Sequence, residues 1–162
     1  MFADGLLASD AIDRLNRTGW DIVIFDGAPG AMELTEDAIR TVDLVVCPLR
    51  AADQDLGSTE HLVSACLDFH KPLMLVINSA NPRGDKRADE VRNLLVRAGH
   101  HVATNNISQR VPYVDAMNVG KSAAELKTGA EASAEIECLY LEVISAARAS
   151  KSVKRKTERA HG

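Results

Sequence analysis

Apolar positions along the chain follow two alternating rhythms. Short runs of aliphatic, β-branched and aromatic residues occur at 21–26, 42–49 and 72–78, with a shorter and more polar run at 101–107. Their length and residue types predict strands, and the first ends abruptly in Asp26-Gly27-Ala28-Pro29-Gly30. The near-continuous apolar run at 42–49 suits a strand covered on both faces of a parallel sheet. Between the runs, apolar residues recur at helical spacing. Leu56, Leu62, Val63, Cys66 and Leu67 predict a helix over 53–69 with Asp53 as a candidate N-cap; Val91, Leu94, Leu95 and Val96 predict one over 85–98 that closes at Gly99. Ile136, Leu139, Tyr140, Val143 and Ile144 predict a long amphipathic helix over 130–149, and weaker patterns mark helices at 6–18, 32–40 and 113–119.

Strands alternating with helices predict an α/β three-layer sandwich with a mainly parallel sheet and right-handed crossovers. In such folds ligands bind beyond the carboxyl ends of the strands. Asp26, Pro48, Asn78 and Ile107 each end a predicted strand, so the pattern places four strand ends at one crevice. A carboxylate at such a position either faces the crevice or serves as a cap or Asx-turn with Gly27.

Composition narrows the class. The chain has 162 residues, of which 46% are hydrophobic and 26% charged. That is one domain's worth, enough to bury about 70% of the unfolded chain's surface. No apolar run approaches the roughly 20 residues of a membrane span, and Met1-Phe2-Ala3-Asp4 lacks the basic start of a signal peptide, so the expected location is cytoplasmic. Cys47, Cys66 and Cys138 are widely spaced and read as small core residues in a reducing compartment. His100 and His101 are adjacent, point to opposite faces if extended, and read as surface residues.

The net charge of −4 is unevenly distributed. Lys151, Lys154, Arg155, Lys156 and Arg159 against Glu158 make the last twelve residues basic, on an otherwise acidic body. With only Val153 as a large apolar residue, that tail, 151–162, reads as disordered or as a frayed helix end. Five cations on it are candidates for neutralising DNA phosphates, against the plainer reading of a solvated terminus.

The order of these segments resembles the ParA/MinD family of P-loop ATPases, which segregate plasmids and chromosomes or position the division site. The resemblance rests on Asp21 to Gly30, Val42 to Leu49, Asp53-Gln54-Asp55-Leu56, Leu75-Val76-Ile77-Asn78, and Ile107-Ser108-Gln109-Arg110-Val111-Pro112-Tyr113 followed by Gly120-Lys121-Ser122. It covers roughly residues 10–145, within a domain of 1–150. It implies a P-loop NTPase-like fold, ATP and Mg²⁺ as cofactors, non-specific DNA and a ParB-like protein as partners, and a possible homodimer. By that resemblance Asp26 is the acid that organises Mg²⁺, and Gly27, Pro29 and Gly30 form the switch loop, with Gly27 where the family has Thr. Asn78 corresponds to an adenine contact, Ile107 and Ser108 to backbone laid against the base, with Ser108 where Pro is usual, and Arg110 to a contact with nucleotide or DNA. Asn78 as a simple strand terminator and Arg110 as a solvated helix-start residue stand beside these.

The family's phosphate loop is missing from the sequence. Gly120-Lys121-Ser122 is not that loop, because the position five before Gly120 is Asp115, inside a predicted helix, where backbone N–H groups cannot form a cradle. In the family the loop follows a strand lying between those corresponding to 21–26 and 43–48. Without it the chain is expected not to hydrolyse ATP alone. The readings that follow are a truncated ParA-like partitioning ATPase, an inert ParA-like module that binds DNA or a partner protein, and a MinD-type or other P-loop regulator. A MinD-type protein would end in a membrane-binding helix with apolar anchors, which ranks DNA above membrane. The strand at 21–26 either closes up against 43–48 or leaves an edge that recruits another chain.

Overall fold

The computed structural model describes residues 8–27 and 32–160. In chain order it contains α1 (Ala8–Asn16), α2 (Met32–Thr41), β1 (Val45–Leu49), α3 (Asp53–Asp68), β2 (Leu73–Ile77), α4 (Lys86–Arg97), β3 (His101–Val102), α5 (Val111–Asn118), a 3₁₀ turn at Ala123–Glu125, and α6 (Ala130–Ala160).

The strands form one parallel sheet in the order β1-β2-β3. All five residues of β1 pair with β2, from Val45 with Leu73 to Leu49 with Ile77. Alternation along β2 then divides the core. Leu75 and Ile77 pack with Leu49, Ala88, Val91 and Val102, joined by Leu56 of α3 and Leu95 of α4. Met74 and Val76 pack on the opposite face with Ala103 and Ile107, joined by Tyr113 of α5 and Leu139, Val143 and Ala146 of α6. Helices therefore cover both sheet faces, as a strand with side chains on alternate sides requires when all are apolar.

The fourth predicted strand is shorter than its sequence pattern. After β3 the chain leaves the ladder at 104–106, then returns as Ile107 N–H donates to Ile77 O at 2.9 Å and Ser108 bridges Ala80. The polar Thr104-Asn105-Asn106 segment is held from outside the sheet. Glu142 of α6 accepts from the Thr104 N–H and hydroxyl, and Arg92 of α4 bonds Ala103 O and Asn106 Oδ1.

The predicted strand at 21–26 does not form. Residues 22–27 make no ladder, and Ile24 is 88% exposed in a run the sequence marks for burial. The physical reason is the lack of a partner strand. A strand gains its stability from cross-strand pairing and facial packing, and neither is supplied here. Nor do 21–26 close up against β1, whose outer edge stays unpaired among the described residues. The α1–α2 segment is joined to the body through α2, where Ile39 is buried and the Arg40 guanidinium lies 4.0 Å from the Phe69 ring centroid.

Two boundaries differ from the sequence reading. Ala52, not Asp53, is the N-cap of α3, and Asp53 instead pairs with Arg87. The helix predicted over 130–149 runs on in its backbone through Ala160, 31 residues in all.

Candidate functional site at the carboxyl ends of the strands

Three of the four predicted strand ends meet at one edge. Asn78 N–H donates to Leu49 O at 2.8 Å, which ties the end of β2 to the end of β1. Ala80 N–H donates to Ile107 O at 3.1 Å and Gln109 N–H to Ala80 O at 2.8 Å, which ties the same loop to 107–109. Between them Ser79 adopts φ 57°, a left-handed conformation that a non-glycine residue holds only at a cost. Asn78 is half-buried, and its side-chain amide makes no hydrogen bond among the described residues.

The other predicted contacts are committed to the fold. Ile107 spends its N–H and its C=O on Ile77 and Ala80. Ser108 donates its N–H and its hydroxyl to Glu135, at 3.0 and 2.8 Å. Arg110 Nε donates to Glu135 at 3.0 Å, while its Nη1 pairs with Glu131. Tyr113 OH completes the cluster by donating to Ala132 O at 2.9 Å and lying 3.2 Å from Glu135. Burial works to raise the Glu135 carboxyl, but the Ser108 donors and the Arg110 guanidinium outweigh it and hold the pKa below the usual range. Burial, followed by the negative charge of Glu135, pushes the Tyr113 hydroxyl up to about 12. The cluster clamps 108–113 onto α6, and sequence reasoning missed its centre. Glu135 was legible only as one polar position flanking the apolar stripe of α6.

Near β1, Asp55 accepts from the Arg50 N–H, Nε and Nη2 at 2.9–3.0 Å. Those bonds hold the Asp55 carboxyl down at about 2. Asp85 caps α4 by accepting from Ala88 N–H, and also accepts from Asn81 N–H, which fixes the Asn81-Pro82-Arg83-Gly84 turn.

Among the described residues no backbone hydrogen bond ties 22–27, and with it Asp26, to this edge. Asp26 is exposed, on the unpaired 22–27 segment, and Gly27 beside it has open space around its α-carbon. Pro29 and Gly30 lie outside the described residues. Among the described residues no three acids, histidines or cysteines gather as a metal-ligand set. Of a nucleotide, the edge offers polar groups for a base at Asn78.

Gly120-Lys121-Ser122 has a structural role. Gly120 (φ 66°) follows the C-cap of α5; its N–H donates to Met117 O and Lys121 N–H to Ala116 O, a Schellman closure. Ser122 and Glu125 then form a capping box on the next turn. Of the basic residues at the end of α6, Lys151 is exposed; Lys154, Arg155, Lys156 and Arg159 lie on its helical backbone. Compared with known proteins, the chain matches no family model and no curated protein.

Proposed function

We propose that this chain is a ParA-like module that acts by binding DNA, with no ATPase chemistry of its own, in a partitioning system. The observation that carries it is the reach of α6. Ala146 is the last of its described residues packed on that core cluster, and the helical backbone continues to Ala160, about 20 Å at 1.5 Å per residue. That extension carries five cations, with 151, 155 and 159 at helical i, i+4 spacing. The sequence of that extension offers Val153 as its one large apolar residue, and phosphate neutralisation with counterion release supplies a favourable term for such a basic segment. The resemblance of the segment order to ParA proteins supplies the partitioning context.

Fluorescence anisotropy on duplex DNA across a salt series tests this. Log affinity is expected to fall linearly with log salt, and deleting 151–162 from the full chain is expected to reduce the slope by about one for each phosphate no longer neutralised. Affinity that is absent at low salt, or unchanged by the deletion, overturns the reading.

Nucleotide recognition is the second reading, favoured by Asn78. Its amide can donate and accept together on a base edge, and it stands at the strand ends beside the left-handed Ser79. Titration calorimetry with ATP decides it: binding lost in Asn78→Leu supports this reading, and no measurable heat in the parent chain removes it.

A further inference from the structure

We infer that the outward face of α6 is a self-association surface, on which a second copy of this chain packs its own α6 antiparallel about a two-fold axis between positions 142 and 143. One side of the helix is taken by the core through Leu139, Val143 and Ala146, with Glu135 and Glu142 beside them bonding to 104–110. At about 100° per residue, Glu137, Leu141, Ile144 and Arg148 fall within about 60° of one another on the opposite side. Burial agrees: Glu137, Leu141 and Arg148 are exposed, Leu141 at 61%, and Ile144 is half-buried. With the exposed Ala134 and Lys151 at either end, these residues are spaced alternately three and four apart. That is the spacing of a seam between two helices.

Charge on this face is unanswered within the chain. Neither Glu137 nor Arg148 makes an ion pair or a side-chain hydrogen bond among the described residues. They stand about 16 Å apart along the axis, too far to meet. No residue three or four positions from either one carries the opposite charge, so the helix cannot supply a partner of its own.

A second copy answers both charges at once. Positions 137 and 148, 141 and 144, and 134 and 151 share a single midpoint. One antiparallel register therefore sets Glu137 opposite Arg148 of the other copy, Leu141 opposite its Ile144, and Ala134 opposite its Lys151, with each contact made twice. Leu141 and Ile144 bury one another at the axis, with Tyr140, 52% exposed, on their flank. Ala134 leaves room for the Lys151 stem to lie across it with the ammonium at the rim. Parallel pairing in register would instead set Glu137 against Glu137 and Arg148 against Arg148. Because the core lies on the far side of α6, the body of each copy stands away from the seam. Glu137 in the strip also counts against an anionic membrane as the occupant.

Sedimentation equilibrium of the full 17.5 kDa chain, without DNA, is expected to show a monomer–dimer equilibrium. Glu137→Arg and Arg148→Glu each bring like charges together twice and are each expected to weaken the dimer at least about tenfold. The circular dichroism spectrum should stay unchanged, since both positions are exposed. Combined in one chain, the two substitutions put opposite charges back across the seam and are expected to restore about the parental affinity. A monomer at every concentration overturns the inference. So does a monomer that cosediments with anionic phospholipid vesicles, which would give the face to a membrane surface. A dimer that either single substitution leaves unchanged, or that the double substitution fails to restore, uses another contact or register and overturns it as well.

Discussion

At the scale of single residues, the clearest energetic centre is Glu135. Its side chain is only 16% exposed and serves Ser108, Arg110 and Tyr113 together. Glu135→Gln leaves those donors facing a neutral amide and is expected to cost about 1–3 kcal/mol by denaturant titration. The pH dependence has a definite sign. Glu135, Asp55, Asp85 and Glu125 all have lowered folded-state pKa values. Each contributes stability that is present above the ordinary carboxylate range, about pH 4–5, and is lost as pH falls through its depressed value. Stability is thus expected to drop from about pH 5 toward pH 2, with a shallower drop in Glu135→Gln. Backbone conformation adds a second residue-scale test. A Cβ on Gly129 would stand 1.8 Å from Ala123 O, a backbone atom that cannot swing aside. Gly129→Ala is expected to cost about 1–3 kcal/mol or more by prying the 3₁₀ turn from the start of α6. None of this was visible in the sequence, where Gly129 is one glycine among ten.

Elements show how helix ends are enforced and where pattern reading succeeds. α3, α4 and α5 all close in Schellman motifs, with Gly99 and Gly120 at the left-handed position of the last two. In α3 that position is His70, φ 53°. His70→Gly is expected to raise stability by about 0.5–1 kcal/mol, relief of the left-handed cost offset by glycine's extra freedom when unfolded; thermal unfolding measures it. Helices α3, α4 and α5 were legible because apolar spacing and Gly or Pro punctuation agree in each. Strand β2 was legible because every residue from Met74 to Ile77 is buried. The 21–26 run misled for a physical reason: apolar β-branched sequence expresses a capacity to pair, and pairing needs a neighbour. The candidate edge divides similarly. Asn78 and Ile107 were placed at it by strand-end reasoning, whereas the commitment of Ser108 and Arg110 to Glu135 joins residues 25–27 positions apart, a separation no local pattern encodes.

Across the whole molecule, stability is expected to be graded from the sheet outward. β2 lies between two strands and two helical layers, with four of its five residues buried, so its amides open only with global unfolding. The α1–α2 segment reaches the body through few residues around Ile39, Arg40 and Phe69. Between α1 and α2, residues 22–27 make no backbone hydrogen bonds among the described residues. Native-state hydrogen exchange should therefore show the slowest amides at Met74–Ile77, at the free energy of global unfolding. Residues 22–27 should exchange near the rate of an unstructured peptide, and α2 should open at an intermediate free energy. Arg40→Ala removes the stacking on Phe69, worth about 0.5–1 kcal/mol at an exposed site. It should speed exchange in α2 while leaving β2 nearly unchanged, because an opening confined to the α2 contact does not pass through the sheet. Equal acceleration in both would mean that α2 and the sheet unfold as one unit, and that the body does not stand without the segment before β1.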